Sequence, residues 1–307
     1  MKTIFFGTPD FAVPCLERLS TLDSIEIVAV VTQPDRARDR GKVSFSPVKA
    51  AALRLGIPVL QFERIKLHVD ELRALGAELG ITCAYGQILN QDLLDSFPRG
   101  IINVHGSLLP AYRGSSPIQW AIINGERVTG VTVMQTALGV DSGDMILQRE
   151  LAIDPQETAG ELFDRMAAFA PDVLTQALDL ITSGKATWTP QDESKATHFP
   201  MLSKTTGEID FNKSASAIVN LVRGVNPWPG AYFTTCCGDV LKVHRAAIVD
   251  GEGEPGVVLK ADRNNGLVVA CGEGAVRLST VQRAGKRPMS DCDYLCGNCV
   301  AVGVRLC

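Results

Sequence analysis

A chain of 307 residues has room for two domains of ordinary size, and a hydrophobic fraction of 46% is enough to give each a core. Its apolar runs fall short of the roughly 18 residues that cross a bilayer as a helix, and residues 1–7 lack the long apolar stretch and small-residue cleavage site of a secretion signal. The net charge of −4 excludes binding to nucleic acid by bulk charge, while leaving open binding through local patches.

From these follow a cytoplasmic location, no membrane contact and nine cysteines held as free thiols. Charge is unevenly spread. Residues 1–204 hold 19 basic and 24 acidic side chains, and residues 205–307 hold 11 and 10.

Residues 2–6 read as a buried first strand, followed by the turn Gly7-Thr8-Pro9-Asp10 and a helical pattern to about Ser20. That turn lacks the Gly-x-Gly-x-x-Gly of a dinucleotide site, which weakens a dehydrogenase reading. A β-branched run at 25–31 suits a strand buried on both faces. Residues 47–55 read as a helix closed by Gly56, and 70–79 as another closed by Gly80. Short apolar strands follow at 81–84 and 101–104, then a hairpin from strands 130–136 and 144–151 joined by the loop 137–143. Residues 158–183 form a long amphipathic helix, with Leu162, Met166, Phe169, Val173 and Leu174 at helical spacing.

Alternating strands and helices predict a Rossmann-like, doubly wound, mostly parallel sheet. Residues 187–207 turn polar and lose periodicity, as a linker does. Beyond them come a short helix (214–223) and strand-like segments at roughly ten-residue spacing, the pattern of a small β-barrel. The expected division is a catalytic domain over 1–189, a linker over 190–207 and an OB-fold-like β-barrel over 208–307.

The chemistry concentrates at Asn103-Val104-His105-Gly106-Ser107-Leu108-Leu109-Pro110. Asn103 and His105 are two apart at a strand's end, so both side chains point to one face, and chemistry in open α/β sheets gathers beyond the carboxyl ends of strands. A lone histidine at a strand end is more often structural. Here the neighbouring asparagine and the downstream Val140-Asp141-Ser142-Gly143 loop make a consistent set. An asparagine amide can donate to an oxyanion, a histidine can carry a proton, and an aspartate can orient the histidine and stabilise its charged form. No serine or cysteine nucleophile is obviously positioned by the set, so direct transfer to an amine fits better than a covalent acyl-enzyme.

The Asn-x-His-Gly-Ser-Leu-Leu-Pro stretch with its downstream Asp-x-Gly resembles the folate-dependent formyltransferase superfamily. Phe6-Gly7-Thr8-Pro9-Asp10-Phe11, Thr32-Gln33-Pro34-Asp35-Arg36, Ser46-Pro47-Val48-Lys49, Asn226-Pro227-Trp228-Pro229 and Ala284-Gly285-Lys286 narrow the likeness to the methionyl-tRNA formyltransferases, across residues 3 to about 290. The resemblance implies that Asn103, His105 and Asp141 are catalytic. It implies that 10-formyltetrahydrofolate lies against Ser107, Leu108, Leu109 and Pro110, with Tyr85, Gly86, Gln87 and Ile88 as the pterin-side wall. The acceptor it implies is the α-amine of methionyl initiator tRNA, with no metal; the chain is expected to be a monomer. A sibling enzyme formylating a nucleotide-sugar amine is the alternative.

On the tRNA side the resemblance points to the basic run Arg36, Arg38, Arg40 and Lys42, one residue shorter than the family's form. It also points to Lys242, Arg283, Lys286 and Arg287 on the barrel as phosphate contacts. Cys292, Cys296 and Cys299 have iron–sulfur-like spacing. Their i, i+4, i+7 repeat is instead expected to be an apolar packing face of a helix.

Overall fold

The structure is a computed structural model that describes residues 1–38, 42–235 and 238–306. The chain divides into two compact units. One holds Met1–Pro117, Val128–Ala152 and Phe163–Phe199; the other holds Ile118–Arg127, Ile153–Leu162 and Pro200–Cys307. The division passes through the stretch expected as a linker: residues 190–199 fall in the first unit and 200–207 in the second.

The first unit begins with β1 (Lys2–Gly7), α1 (Val13–Leu19) and β2 (Glu26–Thr32), the two strands pairing in parallel. A two-stranded hairpin follows, β3 (Arg36–Arg38) and β4 (Lys42–Ser44), where the sequence suggested only a basic loop. Next come α2 (Pro47–Arg54), capped by the Ser46 hydroxyl, then β5 (Val59–Gln61), α3 (Val69–Arg73) and β6 (Leu79–Cys83).

The helix expected over 70–79 is therefore shorter than the pattern indicated. Gly76 takes a left-handed φ of 64° and ends it. Gly80 is no cap but lies inside β6, where a Cβ would stand 2.8 Å from the Ile101 side chain. Close strand packing, not a helix end, requires that glycine.

α4 (Gln91–Leu94), β7 (Ile101–His105), the short β8 (Arg113–Gly114) and the antiparallel pair β9 (Val128–Gln135) and β10 (Met145–Ala152) complete the frame, while α5 (Pro117–Ile123), between β8 and β9 in the chain, belongs to the second unit from Ile118 on. The strand order is β10-β9-β7-β6-β1-β2-β5, with the five strands from β7 to β5 parallel. β7 runs antiparallel to β9. This is the expected Rossmann-like sheet, and it delivers the ends of β6 and β7 side by side. α6 (Ala159–Thr182) follows, and β11 (His198–Phe199) pairs in parallel with β8.

The second unit carries α7 (Ala215–Gly224), β12 (Ala231–Thr234), β13 (Val240–Val249), β14 (Val258–Asp262), β15 (Gly266–Ala270), β16 (Ala275–Arg283), β17 (Met289–Ser290) and α8 (Asp291–Gly297). Its strands form one antiparallel sheet, β12-β13-β16-β15-β14, with β17 beside β16. Ile218, Val222, Phe233, Val269 and Leu278 close a core between α7 and the sheet.

The cysteine tail corrects another expectation. α8 ends at Gly297, before Cys299, and its buried residues are Asp291 and Tyr294. Cys296 and Cys299 are exposed and Cys292 is half-buried, so they are not a packing face. Among the described residues no helix is long and apolar enough to cross a membrane.

Candidate functional site

β6 and β7 are in register at Thr82 and Asn103. The Thr82 hydroxyl donates to Asn103 Oδ1 at 2.9 Å, which fixes the amide so that Nδ2 lies 3.4 Å from Asp141 Oδ1. The donor side of Asn103 thus faces the carboxylate loop.

Two residues on, His105 is buried, at 7% exposure. Its Nε2 lies 2.9 Å from the Tyr112 carbonyl oxygen. A carbonyl only accepts, so Nε2 carries the proton and Nδ1 keeps its lone pair in the neutral ring. Nδ1 stands 3.7 Å from Asp141 Oδ2. That is beyond hydrogen-bond range. The expectation that Asp141 orients the histidine is thereby corrected: the Tyr112 carbonyl orients the ring, and the Asp141 carboxylate stands beside Nδ1 without a hydrogen bond to it.

Asp141 is itself held at φ 49°, a left-handed conformation that costs a non-glycine residue about 1–3 kcal/mol. Two features impose it. The Gly114 N–H donates to Asp141 Oδ2 at 2.8 Å, and Gly143 lies so close to β9 that a Cβ would stand 1.8 Å from the Gln135 carbonyl oxygen. Gly114, at φ 94°, approaches β11 so that its own Cβ would meet the Phe199 carbonyl oxygen at 2.5 Å. Tyr112, whose carbonyl holds His105, stacks on Phe199 with ring centroids 4.9 Å apart.

The loop after His105 is built inward. Ser107 is fully buried and donates its hydroxyl to Ala111 O at 2.7 Å. Thr132 donates to Ser107 O at 2.6 Å and accepts from the Leu109 N–H at 3.2 Å; Gln148 donates to Leu109 O at 2.7 Å. Ser107 and Leu109 therefore shape the loop from within, while Leu108 and Pro110 stay half-exposed.

In the other expected wall, Tyr85 is buried and edge-on to Phe6, and burial pushes its phenol pKa up. Gln87 is committed to the Phe62 carbonyl and the Ile65 N–H, 2.8 and 2.9 Å away. Ile88 is 80% exposed, and Leu138 and Val140 beside Asp141 are exposed too. A cavity of about 420 Å³ opens past the carboxyl ends of β1, β2 and β6, lined by Thr8, Gln33, Asp35, Ser46, Ala84 and Tyr85 among others.

Residues 1–178 match the family model described as Formyl transferase, and residues 201–298 match Formyl transferase, C-terminal domain. Proteins named methionyl-tRNA formyltransferase from Ruminiclostridium cellulolyticum and Acetivibrio thermocellus are 46% and 47% identical to this chain. Those alignments cover 100% and 99% of this chain and 99% and 98% of the relatives. This chain belongs to the methionyl-tRNA formyltransferase family.

More distant likenesses support the fold. A sugar 3N-formyltransferase, WlaRD, solved with dTDP and 5-N-formyl-THF, superposes with a TM-score of 0.69 at 18% identity, over 94% of this chain and 99% of that one. HypX from Aquifex aeolicus, solved with tetrahydrofolic acid, superposes at 0.61 and 17%, over 96% of this chain and 47% of that one.

The family's basic elements are placed as follows. Arg36 is exposed at the start of β3, and the backbones of Arg38 and Lys42 pair across the hairpin. Arg40 lies outside the described residues. Lys242 is exposed on β13 opposite Gln282, whose amide donates to the Lys286 carbonyl at 2.6 Å. Arg283 bonds Asn298 at 2.9 Å and stands 3.7 Å from Asp239, which offsets part of its charge. Lys286 and Arg287 are exposed in the turn before β17.

Three residues of the site escaped sequence reasoning. Thr82 sits in an apolar strand with nothing to mark it. Arg113 and Gln191 are 78 positions apart and meet only in the folded chain.

Proposed function

We propose that this enzyme transfers the formyl group of 10-formyltetrahydrofolate to the α-amine of methionyl initiator tRNA. The observation that carries the reading is the convergence of Asn103 Nδ2, His105 Nδ1 and the Asp141 carboxylate at one strand end.

The amine nitrogen attacks the formyl carbon, and the carbonyl oxygen becomes an oxyanion. Asn103 Nδ2 donates to that oxygen, where preorganised donors act most strongly. His105 Nδ1 takes the proton that the attacking nitrogen releases; the Tyr112 carbonyl holds the ring and the Asp141 charge offsets the imidazolium. The bond from carbon to N10 of the folate breaks, and His105 returns the proton to N10. Tetrahydrofolate and formylmethionyl-tRNA leave, and no covalent enzyme intermediate forms. Leu108, Pro110 and Ile88 offer half-exposed or exposed apolar surface suited to the folate rings.

Incubation with 10-formyltetrahydrofolate and charged initiator tRNA is expected to yield formylmethionine on the tRNA. Absence of that product under conditions where a nucleotide-sugar amine is formylated would replace this reading with its sibling.

For tRNA, Arg36, Arg38, Arg40 and Lys42 are the proposed acceptor-end contacts, and Lys242, Arg283, Lys286 and Arg287 the proposed phosphate contacts. The overall charge of −4 requires attraction to come from such patches. Arg40→Ala is expected to lower both tRNA affinity and turnover while leaving folate affinity intact, because small displacements of the reacting amine are costly. Steady-state kinetics at two salt concentrations check this. Unchanged kinetics for Arg40→Ala combined with Lys42→Ala would reduce the run to a solvated charged surface.

A further inference from the structure

We propose that Gln191 is a positioning residue for Asp141, clamping the carboxylate loop through its amide and braced from behind by Arg113. The proposal rests on Asp141 acting in formyl transfer.

Gln191 lies in the polar stretch after α6, where nothing in the pattern suggests a role, yet it is only 9% exposed. Its Nε2 donates to the Asp141 carbonyl and to the Gly143 carbonyl, both at 2.8 Å. Its Oε1 accepts from Arg113 Nε at 3.0 Å and Nη2 at 2.9 Å. A primary amide has two donors and one two-lone-pair acceptor, and all of that capacity is committed here.

Arg113 is 2% exposed and pairs with Glu193 through two further bonds of 2.9 and 2.6 Å. The guanidinium holds the Glu193 carboxyl below its usual range by that hydrogen bonding. A buried guanidinium is tolerated only when its donors are satisfied, so the brace is rigid. The residue after Arg113 is Gly114, whose N–H holds the Asp141 carboxylate. Backbone and side chain of Asp141 are thus fixed from one place: Gln191 grips its carbonyl and Gly114 its carboxylate.

The need for a clamp follows from the loop. Asp141 is in a left-handed conformation and is flanked by exposed Leu138 and Val140. Without Gln191 nothing comparable in the described bonds ties both the 141 and 143 carbonyls down. The 3.7 Å between His105 Nδ1 and the carboxylate would then no longer be fixed.

The test is a double-mutant cycle on formyl transfer. Gln191→Met keeps length and packing and removes every hydrogen bond. It is expected to lower kcat about 10–100-fold, the scale of an ångström-level misplacement, with KM for folate unchanged. In an Asp141→Asn background the same change is expected to cost less than about twofold, because the group being positioned is already lost. Gln191→Glu keeps the acceptor that Arg113 needs but places oxygen against two carbonyls. A clamp predicts that it is also slow, whereas a residue needed only to satisfy Arg113 would be rescued.

Equal losses in both backgrounds, or wild-type kcat for Gln191→Glu, overturn the proposal while the transfer activity itself stands. A wild-type chain that formylates no methionyl-tRNA overturns the functional reading and this proposal with it.

Discussion

Asn103→Ala is expected to lower turnover by on the order of 100–1,000-fold, the usual cost of removing one preorganised oxyanion donor, and to leave folate affinity unchanged. The size of the effect follows from preorganisation. The Thr82 hydroxyl, 2.9 Å from Asn103 Oδ1, and the register of β6 with β7 hold the amide in its donating orientation before any substrate arrives. A water entering the space left by alanine can donate a hydrogen bond, but it must be ordered at the moment of reaction. His105→Ala is expected to lose at least as much, since the nitrogen proposed to take the proton is gone. Single-turnover rates measured beside equilibrium folate binding separate chemistry from binding. Near-wild-type rates in either variant would remove the residue from the reaction. A proportional loss of folate affinity would instead make it part of ground-state binding.

The second large effect is on stability. Asp291→Ala is expected to destabilise the second unit by about 3–5 kcal/mol, as when one partner of a buried ion pair is removed. Asp291 is 1% exposed at the start of α8. It accepts from Arg277 Nε at 2.7 Å and Nη2 at 3.0 Å, from the Leu267 N–H at 3.1 Å and from the Cys292 N–H at 2.9 Å. Alanine leaves the Leu267 N–H buried and unbonded and takes the partner from the guanidinium. Arg277 is a third exposed, so water recovers part of the loss and the lower end of the range applies.

The pH dependence has a definite sign. Burial raises the Asp291 pKa, but the bonds from Arg277 and Leu267 outweigh it, and the net shift is downward. A carboxyl depressed in the folded state contributes stability that is full above the unfolded value of about 3.9. That contribution is lost as pH falls through the lower folded value. Urea unfolding midpoints at neutral pH and near pH 3 test both statements: the gap between wild type and Asp291→Ala should narrow in acid. A gap that is absent at neutral pH would mean the pair contributes nothing net.

Periodicity and turn chemistry marked most strands of the parallel sheet and the long helix α6, because apolar runs and helical stripes are local properties of the chain. The Asn103/His105 spacing likewise pointed to one face of a strand, since alternation in β-structure is a two-residue rule. Local pattern misled at residues 70–80, where Gly80 looked like a helix stop and serves instead as a close-packed strand position. It misled again at Cys292, Cys296 and Cys299, where helical spacing was taken for burial.

What the sequence by itself determined is the alternation of elements, the strand end that carries Asn103 and His105, and a motif set dense enough to identify the family. What only the tertiary structure decided is how the carboxylate loop is held. Thr82 reaches Asn103 from a neighbouring strand, the Tyr112 carbonyl takes over the orienting of His105, and Gln191 meets Asp141 across 50 positions of chain. These bonds join groups whose separation along the sequence carries no periodic signal. Their distances are set by sheet register, by left-handed residues at Tyr112, Gly114 and Asp141, and by the burial of Arg113. Each of these depends on packing between distant segments, which no local pattern of residues encodes.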